Sequence, residues 1–329
     1  MSTTFTVSRI ATYQTIMKKL TVLIILFGLI GCKPSEPEVY LFSFFQGNGE
    51  DGLHLAASTD GLNWKALNNN ESFLAPTAGK DKLMRDPCII KGGDDKFHMV
   101  WTVSWNERGI GYANSTDLIK WSDQKYIPVM DHEPTARNCW APEIYYDEEK
   151  DQYLIYWATT IPGRFPATDT LGGGGYDHRM YYTTTRDFRS FSDTKILYDK
   201  GFSVIDATIV KDGKTYVMFL KNETLLPKPE KNIRISTSTD LLGDYSEPTT
   251  PITTDWVEGP TVTRVGNDWV VYFDMYTKSK MGGISSKDLK IWTDISENIS
   301  FPKGTRHGTV FKVKQSVLEN IITAKTPKD

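Results

Sequence analysis

An eight-residue pattern recurs through this chain and limits what it can fold into. Asn114-Ser115-Thr116-Asp117-Leu118-Ile119-Lys120-Trp121 has relatives over residues 57–64, 184–191, 236–245 and 285–292. The common form is a small hydroxylic run, then an aspartate, then an aromatic residue four positions on, or five in the copy that ends at Tyr245. The successive aspartates (Asp60, Asp117, Asp187, Asp240 and Asp288) are 57, 70, 53 and 48 residues apart. Serine and threonine suit an outgoing strand, and an aspartate side chain accepts from backbone N–H groups in the turn that follows. The aromatic residue then starts the next strand. A repeat of roughly 50 residues with strands in every unit is the mark of a β-propeller, one four-stranded blade per repeat. Five copies predict an all-β, five-bladed β-propeller.

Composition agrees. Hydrophobic residues at 39% and aromatics at 12% supply a packed core. A net charge of −3 with no basic cluster argues against a nucleic-acid partner.

The N-terminus reads differently from the rest. Met17-Lys18-Lys19 and the apolar run 20–30 have the charged and hydrophobic regions of a secretory signal. The run is short of the roughly 20 residues that span a bilayer. It ends Leu29-Ile30-Gly31-Cys32, which resembles the lipobox of bacterial lipoproteins, where the cysteine is lipidated and becomes the first mature residue. The resemblance implies a leader and signal peptide over 1–31, with Met17 an alternative start. It makes Cys32 the lipidated residue and 32–38 a tether. The propeller is expected over 39–315 and a C-terminal tail over 316–329. A cell-envelope lipoprotein on the periplasmic or outer-membrane surface of a bacterium follows, held to the membrane through its lipid alone. Cys88 and Cys139 are either buried free thiols or a pair.

From Val39 onward the chain alternates short strands with turns such as Gly92-Gly93-Asp94-Asp95. Four complete units begin near Asp86, Glu143, Asp206 and Glu258. A last opening strand, from His307 to Val313, has no partners after it. The missing partners lie at the other end, over 39–64. The fifth blade is therefore expected to close by pairing C-terminal with N-terminal strands, which removes an exposed edge. The longest insertion, 160–176 with Gly172-Gly173-Gly174-Gly175, is expected to overhang a binding face.

Each opening strand starts with an ionisable residue: Asp86, Glu143, Asp206, Glu258 or His307. Innermost propeller strands run parallel around the axis, so these starts converge on one mouth of the central channel. Carboxylates gathered there raise one another's pKa, as in a catalytic site.

Arg85-Asp86-Pro87, Trp140-Ala141-Pro142-Glu143, Val204-Ile205-Asp206-Ala207-Thr208, Val257-Glu258-Gly259-Pro260 and Arg306-His307-Gly308 resemble, in order and spacing, the successive blade motifs of glycoside hydrolase family 43. The resemblance implies a five-bladed propeller that hydrolyses α-L-arabinofuranosides or β-D-xylosides with inversion. It makes Asp86 the general base, Glu258 the general acid and Asp206 the modulator of the acid's pKa. Inversion needs a carboxylate to activate water and a protonated carboxyl opposite it, roughly 6.5–9.5 Å apart. A third carboxylate keeps the proton on the acid at neutral pH. Glu143 stands where the family more often has Asp, and Ala207 where it more often has Pro. Arg85-Asp86-Pro87 also resembles a motif of the retaining invertase-like families, but no Asn-Asp-Pro accompanies it here.

The expected activity is an inverting glycoside hydrolase on arabinose- or xylose-containing plant polysaccharides or oligosaccharides, with α-L-arabinofuranosidase first. β-Xylosidase, endo-arabinanase and a non-catalytic sugar-binding lipoprotein are the alternatives. Residues 58–64 also resemble a sialidase Asp-box, one residue short, on one blade too few. Arg85, Trp105, Trp140, Glu143, Phe202, Lys221, Glu223, Arg234 and Arg306 are the candidate substrate-binding residues, the aromatics by stacking on a sugar face. The chemistry requires no cofactor. His307 resembles the axial histidine that in some relatives helps hold a calcium ion, so a structural calcium is considered there.

Overall fold

A computed structural model of the chain describes residues 36–325. The proposed leader, Cys32 and residues 33–35 of the tether lie outside those residues, as do the last four positions. By its contacts the chain divides after Pro37, and the unit considered is Glu38–Asp329.

The chain enters with β1 (Glu38–Phe44), β2 (His54–Ser58) and β3 (Lys65–Ala66), which belong to the closing blade. The first full blade is β4 (Arg85–Lys91), β5 (Phe97–Thr102), β6 (Ile110–Ser115) and β7 (Lys125–Ile127). The second is β8 (Trp140–Asp147), β9 (Gln152–Thr160), β10 (His178–Thr185) and β11 (Lys195–Tyr198). The third has β12 (Val204–Asp212), β13 (Thr215–Asn222) and β14 (Asn232–Ser238). The fourth has β15 (Glu258–Val265), β16 (Asp268–Met275), β17 (Lys280–Ser286) and β18 (Thr293–Asp294). Then β19 (Thr309–Lys314) returns to β1, with Val39 opposite Val313 and Leu41 opposite Phe311, and the closing sheet reads β19-β1-β2-β3. The five-bladed propeller and its terminal closure are both as the repeat predicts. A helix, α1 (Gln315–Lys325), follows and buries Leu318 and Ile321 against the closing blade's core.

The repeated pattern is the turn between third and fourth strands. Ser115 Oγ accepts from the N–H groups of Asp117 and Leu118, and Asp117 Oδ1 from those of Ile119 and Lys120. Asp60, Asp187 and Asp288 repeat the same two bonds to the residues two and three ahead. These bonds hold the residue after the aspartate at positive φ: 70° for Gly61, 63° for Leu118, 52° for Phe188 and 61° for Leu289. The Asp240 copy, with its longer spacing, departs. Its aspartate makes one such bond, to Leu242 N, and no fourth strand is assigned to its blade. Residues 246–252 run beside β14 instead. They bond it through the N–H groups of Ser246, Thr249 and Ile252 and through the hydroxyls of Ser246 and Thr249, which accept from Thr237 N and Ile235 N, while Pro248 and Pro251 have no N–H to give.

Apolar side chains fill the spaces between blades in five clusters. One, for example, packs Ile89, Met99 and Trp101 of the first blade against Leu41, Leu55 and Phe311 of the closing blade. Trp64, Phe42, Tyr272 and Phe301 form an aromatic group between the closing and fourth blades, with Trp64 stacked on Phe301 and edge-on to Phe42 and Tyr272. Burial of this kind contributes about 25 cal/mol per Å² of apolar surface and holds the ring of innermost strands that carries the site.

Candidate active site

Four innermost strands break at the same level. Register slips between Arg85 and Cys88, between Trp140 and Glu143, between Ile205 and Thr208, and between Glu258 and Thr261. Each slip is a β-bulge, and its first residue is left-handed: Asp86 at φ 51°, Ala141 at 44°, Asp206 at 52° and Gly259 at 61°. Bulges re-aim side chains and leave a residue unpaired. Proline suits the place after the turn because it has no N–H to satisfy. Pro87, Pro142 and Pro260 occupy it, and Ala207 does so in the third blade.

The bulges aim Asp86, Asp206 and Glu258 into one cavity of about 500 Å³ at the mouth of the channel. Arg85, Trp105, Trp140, Lys221, Glu223, Arg306 and His307 line it too. The structure therefore brings together ten of the sequence-derived site residues, drawn from all five blades. Glu143, Phe202 and Arg234 are not in its walls. Glu143 lies two positions beyond its bulge residue, so its carboxyl turns into the channel. There it accepts from Thr208 Oγ1 (2.7 Å), Tyr156 OH (3.2 Å) and Thr309 Oγ1 (3.3 Å). The five opening positions are thus not equivalent, contrary to the sequence reading. Phe202 packs edge-on to Tyr198 in the core between the second and third blades. Arg234 is tied to Glu230 and Asn232.

Opposite three of the four bulges, near the end of the second strand, stands a polar residue that supports the site. Thr102 faces Arg85, Lys221 faces Ile205 and Asp274 faces Glu258. Thr102 Oγ1 donates to Asp86 Oδ2 at 2.8 Å and accepts from Ala141 N at 2.8 Å. Lys221 Nζ, fully enclosed, lies 2.7 Å from Glu223 Oε2 and 3.2 Å from Glu258 Oε2. Asp274 Oδ2 holds Arg306 Nε at 2.5 Å, and Arg306 Nη2 reaches Glu258 Oε1 at 3.2 Å. Asp206 Oδ2 accepts from Gly259 N at 3.0 Å. His307 Nδ1 stands 3.3 Å from Asp86 Oδ1 and 4.0 Å from Asp206 Oδ2.

The carboxyls differ in their tie to the proton. Burial pushes Asp86 up, but the hydrogen bond and charge of His307, with Arg85 and Thr102, outweigh it and bring the group to about 2. Burial raises Asp206 to about 6, against the pull of His307 and Lys221. Burial also raises Glu258, but Lys221, His307 and Arg306 overcome it, so its pKa lies below the ordinary value. Burial lowers His307, and the nearby Asp206 and Asp86 more than reverse this, to about 9. The ring therefore carries a proton at neutral pH. Among the described residues, no group of three or more His, Cys, Asp or Glu side chains is placed to hold a metal. Cys88 and Cys139 are free and buried, and burial raises both thiols.

One wall of the cavity is aromatic. Trp105, 42% exposed, meets Trp140 edge-on at 5.4 Å, and Arg85 is held between the rings of Phe45 and Trp105. Asn48 Oδ1 fixes this group by accepting from Arg85 Nη1 and Trp105 Nε1, both at 3.0 Å. Gly173 and Tyr176 bring the 160–176 insertion to the same wall. Asn48, Thr102, Tyr176 and His178 were missed in the sequence. The pairing of each bulge with a second-strand end, used there only for Lys221 and Glu223, was the signal that finds Thr102.

Comparison with known proteins agrees with this architecture. A family model described as "Probable glycosyl hydrolase domain", of the glycosyl hydrolase 43-related family, matches residues 36–319. An α-L-arabinofuranosidase of Bifidobacterium longum subsp. longum is 27% identical over 202 residues, 54% of this chain and 18% of that protein. The chain thus spans under a fifth of the length of that curated relative. Among solved structures, a thermostable family-43 glycoside hydrolase superposes with a TM-score of 0.52 at 17% identity, covering 68% of this chain and 78% of that one. A GH43 β-1,3-galactosidase superposes at 0.56 and 13% identity, covering 86% of this chain and 59% of that one. At these identities both likenesses speak for the fold alone. The family match spans the whole propeller, and the chain belongs to the glycosyl hydrolase 43-related family.

Proposed function

We propose that the protein is an inverting glycoside hydrolase acting on arabinose- or xylose-containing oligo- or polysaccharides, with α-L-arabinofuranosides as the first substrate class. The observation that carries this reading is the convergence of Asp86, Asp206 and Glu258, from three blades, on one cavity in which their affinities for a proton are driven apart. The partial match to an arabinofuranosidase supports the choice of sugar.

In this reading Asp86, ionised throughout the working range, takes a proton from water as the water oxygen bonds to the anomeric carbon. The bond from that carbon to the leaving oxygen breaks, and a carboxyl on the opposite side gives this oxygen a proton. Motif position makes Glu258 the donor, whereas in the empty site the proton is favoured on Asp206. We assign donation to Glu258 because its side chain is 21% exposed to the cavity, against 6% for Asp206. A sugar that displaces water weakens the solvation of the charged carboxylate and draws the proton toward Glu258. Asp206 then acts as the store from which that proton comes. The lipid tether at Cys32 belongs to the same proposal and rests on the sequence at 29–32. Radiolabelled palmitate incorporated by the native chain and not by Cys32→Ser tests it.

Hydrolysis of aryl α-L-arabinofuranoside, β-D-xyloside and β-D-galactoside by the wild type and Glu258→Gln, with NMR of the first-formed anomer, tests the activity. Turnover with inversion that falls by orders of magnitude in the variant is expected. Sugar binding without turnover of any aryl glycoside or arabinan oligosaccharide would make the propeller a binding module.

A further inference from the structure

Among the described residues that line the cavity, His178 has both of its side-chain polar atoms buried without a hydrogen-bond partner. It opens β10 and is 1% exposed, yet it forms part of the wall shared with Asp206, Lys221 and Glu258. Neither Nδ1 nor Nε2 has a hydrogen-bonding partner in the protein. A buried polar group left unpaired costs about 1–3 kcal/mol, so a fold that tolerates two on one ring has a reason to keep them. The ring is also firmly placed. Tyr176 stacks on it at 5.2 Å with planes 2° apart, Trp140 lies 4.9 Å away, and its backbone N–H donates to Ser203 Oγ at 3.1 Å. Both aromatic neighbours line the cavity as well.

The protonation state adds the chemistry. Burial, with the positive charges of Lys221, Lys231, Arg137 and Arg179 around it, lowers His178 to about 3. The ring is neutral at every working pH and presents one N–H donor and one lone pair. An anionic ligand would find Lys221 or Arg306 a better partner, and a cation the carboxylates. A neutral donor–acceptor pair matches a hydroxyl, which gives one hydrogen bond and takes another.

From this arrangement we propose that His178 is a substrate-binding residue that recognises a hydroxyl group of the sugar held between Trp140 and the carboxylates, and so sets which glycoside the site accepts. The inference rests on the glycosidase reading for its ligand class but not for its chemistry, since it concerns binding alone. Tyr176, which ends the 160–176 insertion, stacks on the ring.

The test is the affinity of methyl α-L-arabinofuranoside, methyl β-D-xyloside and methyl β-D-galactoside, with their monodeoxy derivatives, for the full chain carrying Glu258→Gln, so that turnover plays no part. Titration calorimetry is to be compared with the same chain carrying also His178→Phe or His178→Asn. Phenylalanine keeps the stacking and removes the hydrogen bonds, and asparagine keeps a donor and an acceptor. At least one glycoside should bind, one of its deoxy forms should bind roughly three- to tenfold more weakly, and His178→Phe should bind both equally. His178→Asn should recover part of the preference. The proposal is overturned if His178→Phe keeps the parent's preference among deoxy forms, if no deoxy form is discriminated against by the parent, or if none of the three glycosides binds. Where His178→Phe fails to fold, His178→Asn carries the comparison, and an unchanged preference in it together with an unchanged affinity overturns the proposal. The glycosidase reading stands or falls separately, on the turnover of the aryl glycosides.

Discussion

The backbone N–H of Gly259 donates to Asp206 Oδ2 at 3.0 Å, so the bulge of the fourth blade is fastened to the carboxyl of the third. The bulge of the second blade is fastened in the same way to the first, through Ala141 N and Thr102 Oγ1. Each of these bonds depends on a left-handed residue that turns its N–H sideways out of its own ladder. The groups of the proposed site are therefore positioned by their neighbours' backbones as well as by their own strands.

Gly259→Ala is expected to be among the most damaging small substitutions. A Cβ there would lie 2.3 Å from His307 Cγ, and φ is +61°. The backbone alone contributes about 1–3 kcal/mol of strain, and the displaced imidazolium would leave Asp86 and Asp206 without their shared cation. A drop in Tm together with loss of turnover checks this. Unchanged activity would mean that the bulge does not position the pair.

The pH dependence follows from the shared proton. Asp86 at about 2 stays ionised through the working range, whereas Asp206 at about 6 loses its proton within it. The kcat/KM profile, which reports the free enzyme, should fall as pH rises through about 6. In Asp206→Asn that limb should move or vanish, at a much lower rate overall. A limb that stays near 6 in the variant would place the store elsewhere.

Glu143 offers a test of stability without chemistry. Its folded pKa is raised from 4.5 to about 7 by burial. The folded state thus binds the proton more tightly than the unfolded chain does. The resulting stability is full below about 4.5, declines as pH rises and is gone above about 7. Glu143→Gln keeps the shape and does not ionise, so its Tm relative to the wild type should climb between pH 5 and 8. Its activity should remain near that of the wild type, since the residue is outside the cavity. Thermal melts across that range, with one turnover assay, decide it.

Lys221→Met should separate charge from packing. The methionine fills most of the enclosed space but leaves Glu223 and Glu258 without the cation between them. Removing one partner of a buried ion pair costs about 3–5 kcal/mol. Lys221 holds down the pKa of Asp206 as well as that of Glu258, so both should rise, shifting the alkaline limb of kcat/KM upward even as the protein melts earlier.

How much of this was legible in the sequence varies with the physics. The repeat was legible because its turn is local: Ser115, Asp117 and the backbone between them make the whole motif, and nothing distant is needed. Closure by β19 and β1 was legible because one unpaired strand stood at each end. The missing fourth strand of the third blade had a sign in Pro248 and Pro251, which cannot donate to a ladder, but it takes the structure to see which strand runs beside them. Asp86, Asp206 and Glu258 could be placed through short motifs because bulges are local too. Glu143 was misplaced, since a bulge shifts everything beyond it and no composition marks that shift. His178 was hidden because its role depends on an absence of partners, which only the packed structure reveals.

Arg306 and His307 lie just before β19, the strand that completes the ring by pairing with β1. The last turn of the site and the seal of the whole fold are thus one continuous stretch of chain. During synthesis, four blades can be assembled while the pocket still lacks the guanidinium that grips Glu258 and the imidazolium between the aspartates. Competence then arrives in a single step, when the final strand docks. A ring of this design has no half-active precursor, and a nick that frees β19 would disarm the chemistry and open the fold together.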